Sequence, residues 1–266
     1  LCSNIFVKVC LCYKLVFNFN VSYVHPKHTA HEKSWDILIF TQHWPPTICK
    51  LWMEKKPHTC AMPSNQDTWT IHGIWPTKIG TMGPFFCNKT WLFDPEEVKP
   101  IESQLEQSWT NIEADTSLYS FWAHEWNKHG TCAAEINTFN SQIKYFTEGL
   151  NLLKNYTMDS ILEAEGIIPS DTKEYSVTDF YKAIRSKLGI EPEIECRNDE
   201  GKQYIFELRI CFTKSMELTD CRTNSLTYVS NCDASKGILY PESVTRKSKL
   251  IVELYKLGIW LQWLTL

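Results

Sequence analysis

Eight cysteines spread through the body of the chain constrain its fold more than any other feature of the sequence. No two of them have the C-x-x-C spacing of a zinc knuckle or a redox motif, so their even number predicts a framework of disulfide bonds. Such frameworks persist in oxidising compartments outside the cytosol. Spacing alone leaves roughly 105 ways of pairing eight cysteines, and all of them stay open at this point. The eight are Cys49, Cys60, Cys87, Cys132, Cys196, Cys211, Cys221 and Cys232.

Three N-x-S/T triplets support the same secretory route. They begin at Asn20, Asn88 and Asn155, and such triplets accept N-linked glycans in secreted proteins. Triplets also arise by chance, so any single one is as easily an unmodified asparagine. Asn88 and Asn155 lie in the body of the chain and are the candidate glycosylation sites.

The N-terminal extension, residues 1–33, differs in character from the body of the chain. Its apolar stretch is interrupted by Lys8 and Lys14, which makes it too short and too charged to span a membrane. We expect this extension to be a remnant of a signal sequence or a disordered segment. The count of eight cysteines leaves out the three that lie here, Cys2, Cys10 and Cys12.

The C-terminal extension, residues 247–266, is apolar except for a narrow strip of Lys249, Glu253 and Lys256 along one side of a helix. Two interpretations stay open. One is a helix that lies on a membrane surface or on a partner; the other is a packed tail or a segment outside the functional product. Neither extension predicts firm membrane association, and residues 34–246 are expected to form the functional domain.

Between the extensions, strand and helix patterns follow one another without an internal repeat. "WDILIFTQHW" and "TWTIHGIWP" are short apolar strands that end at prolines. "SVTDFYKAIRSKLG" places apolar residues four apart and ends at Gly189, as an amphipathic helix does. In "KQYIFELRICFT" every second residue from Tyr204 to Ile210 is apolar, which predicts a strand. One α+β domain is the simplest interpretation.

The stretch "FWAHEWNKHGTC" concentrates titratable side chains on what we predict to be a continuous α-helix. Two histidines four residues apart can share a zinc ion on one helix face. His124 and His129 are five apart and would point roughly 140° away from each other, which argues against a metal site. Glu125 shares a face with His129, and Lys128 shares one with His124. Taken alone, the segment is explained equally well by a solvated charged surface.

A second histidine segment makes a merely solvated charged surface a weaker explanation. "TWTIHGIWP" holds His72 on a short strand between apolar residues, where a lone histidine is usually a core residue. Two fixed histidines are also what cleavage of a phosphodiester by a neighbouring 2′-hydroxyl requires. One group removes a proton, another donates one, and a cation offsets the charge that develops on the phosphate. Histidine suits both proton roles because its unperturbed pKa is about 6.5.

The overall charge limits the class of partner. A formal charge of −4 at pH 7 argues against tight binding of long nucleic acid by bulk electrostatics. Protonation of all eight histidines would move that charge to +4. A mildly acidic compartment would therefore suit a polyanionic substrate better than neutral pH does.

Both histidine segments resemble the two active-site segments of the ribonuclease T2 family of secreted acid endoribonucleases. The usual forms in that family are close to F-T-I-H-G-L-W-P and F-W-x-H-E-W-x-K-H-G-T-C. "QHWP" resembles the family's first core strand, "HGTCAA" is most similar to the animal branch, and the resemblance covers about residues 35–241. Ile74 stands where leucine is common, and Asn127 where many animal members carry glutamate. We expect Asn127 to alter local charge without abolishing activity.

The resemblance implies a central antiparallel sheet flanked by helices and stapled by disulfides. It implies that His129 is the general base and His72 the general acid. Glu125 and Lys128 match residues that polarise and stabilise the pentacovalent phosphate, and His124 matches an auxiliary phosphate-binding histidine. The implied disulfides are Cys49–Cys60, Cys87–Cys132, Cys196–Cys232 and Cys211–Cys221.

The implied activity is cleavage of single-stranded RNA to a 2′,3′-cyclic phosphate and then a 3′-phosphate, with no cofactor and no metal. DNA lacks the nucleophilic 2′-hydroxyl and should not be cut. We expect a monomer that is secreted or lies in the lumen of a lysosome-like compartment. Candidates for stacking on bases are Trp44, Trp75, Trp122 and Trp126, although each could equally be a core residue.

Two other functions compete with this interpretation. A secreted interaction or effector protein on the same scaffold, with catalysis lost, is disfavoured because the histidines, the glutamate and the lysine are all present. A metal-dependent hydrolase is disfavoured by the five-residue spacing of the two helix histidines.

Overall fold

The computed structural model describes residues 34–55, 58–81, 83–221, 229–243, 254–257 and 260–261. All of these lie in one unit of the chain, residues 33–266. The N-terminal extension with Asn20, and the greater part of the C-terminal extension, fall outside the described residues. The predictions about those segments and the exact domain boundaries therefore stay predictions.

A mixed sheet organises the fold. Its strands are β1 (Ile37–His43), β2 (Thr70–Thr77), β3 (Ser170–Tyr175), β4 (Glu193–Asp199), β5 (Lys202–Phe212), β6 (Leu218–Thr219), β7 (Val229–Ser230) and β8 (Ile238–Tyr240). The central order is β2-β1-β5-β4-β7. Neighbouring strands are antiparallel except for two short parallel pairings, β4 with β7 and β5 with β8. The predicted antiparallel sheet is confirmed, with these two parallel pairings as an addition.

Helices pack around this sheet, and the sequence marks where several of them begin. They are α1 (Pro45–Lys55), α2 (Pro95–Val98), α3 (Glu102–Ser108), α4 (Ser120–Glu125), α5 (Thr131–Ala133), α6 (Gln142–Asn155), α7 (Met158–Glu163) and α8 (Val177–Leu188). Asp94 caps α2 by accepting from the Glu96 N–H at 3.0 Å. Ser176 and Asp179 form a capping box on α8, which ends at Gly189 with φ 72°.

Large aromatic side chains, several of the chain's 11 tryptophans among them, fill the space between helices and sheet. Trp44, Trp122 and Trp126 are at most 1% exposed, so of the two roles left open for them, stacking on bases or packing in the core, the structure supports the core. Each indole N–H is also satisfied inside the protein. Trp44 donates to the Pro241 carbonyl at 2.9 Å, and Trp122 donates to the Trp109 carbonyl at 2.7 Å. A buried ring with a paired N–H is a core residue.

Four disulfides staple the chain, and their pairing is the one that the resemblance implied. They are Cys49–Cys60, Cys87–Cys132, Cys196–Cys232 and Cys211–Cys221. The second of them ties the loop before Cys87 to α5. The Phe86 N–H donates to the Lys128 carbonyl at 2.9 Å in the same place. The loop is thereby fixed against the histidine-bearing segment.

The surface of the described residues adds two observations. Asn88 and Asn155 are exposed, and their glycosylation stays a prediction. Apolar side chains of the C-terminal extension are exposed at Leu254, Tyr255 and Trp260. Among the residues that the structure describes, no helix is both long enough and apolar enough to cross a membrane.

Candidate active site

His72 lies in the middle of β2, where the strand backbone is held by core side chains. The His72 carbonyl accepts a hydrogen bond from the Trp109 indole N–H at 2.9 Å. The Tyr145 hydroxyl donates to the Ile74 carbonyl at 3.0 Å. Trp109 and Tyr145 are fully buried. The backbone at His72 and two residues beyond it is therefore fixed before any ligand arrives.

Gly73 allows the histidine-bearing helix to approach this strand. A Cβ atom at Gly73 would overlap the Glu125 carboxylate and the Trp75 indole nitrogen. In the space left free, Trp75 Nε1 donates to Glu125 Oε2 at 2.8 Å. The other carboxylate oxygen, Oε1, lies 3.8 Å from His72 Nε2. The glycine of the motif is thus needed for the carboxylate to stand beside the strand histidine.

The segment after α4 is a turn of π-helix, Trp126–Gly130, and not a continuation of the α-helix. A π-turn hydrogen-bonds residues five apart, so it returns the fifth residue to the same face. His124, Glu125 and His129 accordingly have ligand atoms within 4.8 Å of one another. The prediction that the two histidines diverge is wrong, because it assumed α-helical geometry throughout.

This cluster is close enough to share a metal ion, so spacing no longer argues against one. The positive charge nearby does argue against a bound metal ion. The Lys128 ammonium contributes, after burial, to lowering the pKa values of both His124 and His129, and the same positive charge opposes a bound cation. The ammonium lies 5.0 Å from the centre of the Phe85 ring on the rim of the site. The arrangement suits an anion better than a metal.

His129 is buried among aromatic side chains and is held neutral. Its ring centre lies 5.4 Å from that of Trp75 and 5.5 Å from that of Phe85. Nδ1 finds no hydrogen-bond partner among the described residues. Burial, with the nearby Lys128 charge, lowers the pKa of His129 to about 2. This imidazole is therefore stored in the form that accepts a proton.

His72 has the opposite environment. Its Nδ1 lies 2.6 Å from Glu207 Oε1, and Glu125 stands on its other side. Burial disfavours the imidazolium, but the two carboxylates outweigh burial and raise the pKa of His72. Burial also raises the pKa of Glu125 to about 7, against the opposing charge of His72. In the free protein His72 is thus favoured in its protonated form and His129 in its neutral form.

Sequence reasoning missed three side chains that line this centre. Glu207 and Arg209 lie on β5, and Arg209 Nη2 donates to Glu207 Oε2 at 2.6 Å. His43, at the end of β1, is buried with its ring centre 5.4 Å from that of His72. The signal was present in "FELRI", where two charged residues alternate with the apolar face of the strand.

Two cavities flank the histidines and share His72 and His124. One, of about 410 Å³, lies on the His129 side and includes Phe85 and Trp75. The other, of about 330 Å³, lies on the side of His72 away from His129 and includes Phe121. Trp75 is half-buried, its N–H is taken by Glu125, and the Arg209 guanidinium lies 5.1 Å from its ring centre. Because Trp75 lines this cavity, its role as a stacking platform stays a prediction.

Asn127, the departure from the motif, has a structural contact. Its side-chain oxygen accepts a hydrogen bond from the Phe93 N–H at 2.9 Å, joining the π-turn to the loop before α2. The site therefore retains its geometry with a neutral residue at this position.

The family model described as Ribonuclease T2 family matches residues 35–221. The chain belongs to the ribonuclease T2 family. Ribonuclease Oy of Magallana gigas is 37% identical over 213 residues, which cover 79% of this chain and 97% of that protein. Ribonuclease T2 of Homo sapiens is 38% identical over 200 residues, which cover 73% of each chain. Membership confirms the predicted family and, with it, a T2-type endoribonuclease.

Solved structures of the ribonuclease T2 family agree with the fold. A crystal structure of human RNase T2 matches with a TM-score of 0.66 at 35% identity, covering 78% of this chain and 98% of that one. RNase NT, solved in complex with 5′-AMP, matches with a TM-score of 0.65 at 27% identity, with the same coverage of both chains. The predicted α+β fold is confirmed.

Proposed function

We propose that this ribonuclease T2 family member cleaves single-stranded RNA by metal-independent transphosphorylation, leaving a 2′,3′-cyclic phosphate that is then opened to a 3′-phosphate. One observation carries the proposal. The half-buried imidazole of His72 and the buried imidazole of His129 have opposite protonation preferences and face one cavity, and a carboxyl group and an ammonium lie between and beside them. Pairs of titratable groups pushed apart in pKa are the mark of an acid and a base.

In the first step, His129 removes the proton from the ribose 2′-hydroxyl. The 2′-oxygen attacks the adjacent phosphorus, the bond from phosphorus to the 5′-oxygen breaks, and His72 gives its proton to that leaving oxygen. The Lys128 ammonium offsets the charge that gathers on the phosphate oxygens, helped by Glu125 in its protonated form. His124, exposed at the cavity mouth, binds a phosphate oxygen.

In the second step, water replaces the leaving oxygen and the two histidines exchange roles. His72, now neutral, takes a proton from water, and His129, now charged, returns its proton to the 2′-oxygen as the ring opens. The enzyme is left in its starting protonation state. Both steps use the same two imidazoles, so a variant of either is expected to stop both.

The two cavities provide places for the two nucleosides that flank the scissile bond. The nucleoside that carries the 2′-hydroxyl belongs on the His129 side, against Phe85. The leaving nucleoside belongs on the His72 side, against Phe121, whose ring centre lies 5.6 Å from that of His72. Aromatic faces accept any base by stacking. The complex of RNase NT with 5′-AMP supports a nucleotide site in this fold.

The remaining predictions follow the same proposal. DNA lacks the 2′-hydroxyl and is not cut. Four disulfides favour a secreted protein or one in a lysosome-like lumen, and one relative is named Extracellular ribonuclease LE. The protein is expected to act as a monomer, with glycans on Asn88 and Asn155.

The test is cleavage of a short single-stranded RNA at mildly acidic pH with excess EDTA, with product ends identified by mass. A 2′,3′-cyclic phosphate that forms despite the chelator supports the proposal. Cleavage that disappears with EDTA would point to a metal on the His124–Glu125–His129 cluster. No cleavage by folded, disulfide-bonded protein would favour a non-catalytic binder. The same sequence as DNA, and as 2′-O-methyl RNA, serves as the matched control and should remain intact.

A further inference from the structure

The Glu207 carboxylate lies on the opposite side of His72 from the cavity that Glu125 and His129 line. Both of its oxygens accept hydrogen bonds. Oε1 accepts from His72 Nδ1 at 2.6 Å. Oε2 accepts from Arg209 Nε at 3.1 Å and from Arg209 Nη2 at 2.6 Å. The side chain is 2% exposed. A carboxylate that is buried, charged and fully hydrogen-bonded has a single orientation and presents a fixed acceptor to the imidazole.

Arg209 is itself held from several directions. Its guanidinium lies 5.1 Å from the centre of the Trp75 ring. It forms ion pairs with Glu193 and, at 3.6 Å, with Glu195. Of these three carboxylates, Glu207 is the one that lies against His72, with Oε1 2.6 Å from Nδ1. Glu207 therefore does more than neutralise Arg209, because its charge also favours a positive charge on the imidazole.

We propose that Glu207, clamped by Arg209, is a positioning residue for His72: it holds the imidazole with Nδ1 turned inward and Nε2 turned to the cavity, and it favours the proton-donating form. The proposal rests on the proposed function for the claim that His72 is the acid. The hydrogen bond to one ring nitrogen selects which nitrogen remains available for the reaction. Nε2 is left facing Glu125 Oε1, 3.8 Å away, at the wall of the cavity.

The two glutamates beside His72 differ in protonation state because their surroundings differ. Burial favours the neutral form of both carboxyl groups. At Glu207 the charges of His72 and Arg209 overcome burial and lower its pKa to about 2. At Glu125 burial prevails and its pKa rises to about 7. Glu207 is therefore a permanent anion, whereas Glu125 can carry a proton at working pH.

The other groups that face His72 do not replace Glu207. The charged and titratable groups around the imidazole are His43 from β1, Glu207 and Arg209 from β5, His124 and Glu125 from α4, and Lys128 and His129 from the π-turn. Glu193 on β4 lines the same cavity but is paired with Arg209, so among the groups in contact with His72 the two glutamates carry the negative charge when ionised. Glu125 loses that charge as pH falls, so Glu207 is the one constant anion of this set.

The test compares Glu207→Gln with the wild-type protein by NMR titration of the His72 ring and by the pH dependence of kcat/KM. The variant keeps the shape and an acceptor oxygen but loses the charge. We expect the His72 titration to move to lower pH and the alkaline limb of the activity profile to move with it. The loss of kcat/KM near pH 7 should be about tenfold or more, and smaller at mildly acidic pH.

Glu195→Gln is the matched control. It makes the same change 3.6 Å from the same guanidinium without touching His72, and should leave the titration of His72 and the pH profile close to wild type. The proposal is overturned if Glu207→Gln leaves the His72 titration where it was, or if the two variants behave alike.

Arg209→Lys tests the clamp should Glu207→Gln fail to fold. It keeps the positive charge but loses the fork that holds Glu207. We expect kcat to fall about threefold with KM nearly unchanged, and an unchanged kcat would contradict the clamp. Failure of the proposed function is separable, because the His72 titration is measured without RNA. If Glu207→Gln shifts the His72 titration but the wild-type protein cleaves no RNA, the acid role of His72 is disproved, whereas the effect of Glu207 on His72 still holds.

Discussion

His72 and His129 are the same residue type and line the same cavity, but their surroundings shift their pKa values in opposite directions. His72 has a carboxylate on each side and a raised pKa. His129 has aromatic rings and an ammonium as neighbours, and its pKa falls to about 2. The assignment of acid and base therefore comes from what surrounds each ring, since the rings themselves are identical.

The two histidines also differ in how the backbone presents them. His72 belongs to a strand whose carbonyls are held by buried Trp109 and Tyr145. His129 belongs to a π-turn, the rarer backbone form that recurs at functional sites. The strand fixes His72, and the π-turn places His129 in the same cavity. Changes on the two sides should therefore have distinguishable effects.

Removing either imidazole should have the largest effect. We expect His72→Ala and His129→Ala each to lower kcat by about a hundredfold to ten-thousandfold, the range typical of a lost proton-transfer group. Circular dichroism and thermal unfolding should show that both variants fold. His58→Ala is a matched control, because His58 pairs with Asp115 outside both cavities. Near-normal turnover by either active-site variant would refute the roles assigned here.

Two glycine substitutions, with smaller expected effects, distinguish the strand that carries His72 from the π-turn that carries His129. Gly73→Ala would push Glu125 and Trp75 away from the strand histidine, and a misplacement of this kind can cost roughly a hundredfold in kcat. Gly130→Ala would instead overlap the ring of Trp126, a core residue, and should cost about 1–3 kcal/mol of folding stability.

Activity assays combined with urea unfolding check the two glycine variants together. Gly73→Ala should lose more activity than stability, whereas Gly130→Ala should lose stability first. If Gly73→Ala kept full activity, the close approach of Glu125 to His72 would not matter for catalysis.

Glu125→Gln should reduce activity less than loss of a histidine, and it should stabilise the protein at neutral pH. The pKa of Glu125 is raised from 4.5 to about 7 in the folded protein. Between these values the folded state binds a proton that the unfolded state does not, so wild-type stability falls as pH rises through this window. The full cost, up to about 3 kcal/mol, is reached above pH 7.

Melting temperatures of the wild type and Glu125→Gln at pH 5 and pH 8 measure this effect. The variant should gain stability relative to the wild type at pH 8 and much less at pH 5. An equal difference at both pH values would mean that Glu125 is not the group that titrates. A loss of activity as large as that of His129→Ala would mean that the carboxyl group takes part directly in proton transfer.

The sequence was sufficient for the parts of this comparison that depend on short-range chemistry. Cysteine number and spacing predicted the disulfide framework, and the two histidine motifs predicted which segments meet. The π-turn was not predictable from spacing, because α and π geometry place the fifth residue on different faces and spacing alone does not choose between them. The sequence could not separate a stacking role from a core role for Trp44 and Trp122, because exposure is a property of the folded state.

Glu207 and Arg209 show a different limit. Two charges within an apolar strand ordinarily indicate its solvent face. In this protein that face of β5 turns towards the catalytic centre, a fact set by the strand order β2-β1-β5. The pairing of His43 with Glu207 and of Thr41 with Arg209 across β1 brings these side chains level with His72. Long-range register of this kind is not readable from one strand alone.

The smallest expected effects concern the aromatic rings, and they sharpen the comparison between the two sides. Phe85 contacts His129 and Phe121 contacts His72. With a dinucleotide substrate, Phe85→Ala and Phe121→Ala should each raise KM by about tenfold, consistent with 1–3 kcal/mol per stacked base. Because Lys128 lies 5.0 Å from the Phe85 ring centre, Phe85→Ala should also lower kcat slightly.

Hydrolysis of a nucleoside 2′,3′-cyclic phosphate tells these two rings apart, since that substrate has no leaving nucleoside. Phe85→Ala should impair it as much as it impairs the dinucleotide, because the base on the His129 side is still present. Phe121→Ala should have no effect, because the cavity beside His72 then receives only water. If the two variants exchanged these behaviours, the direction of the RNA strand across the site would be the reverse of the one proposed, and the roles of His72 and His129 would reverse with it.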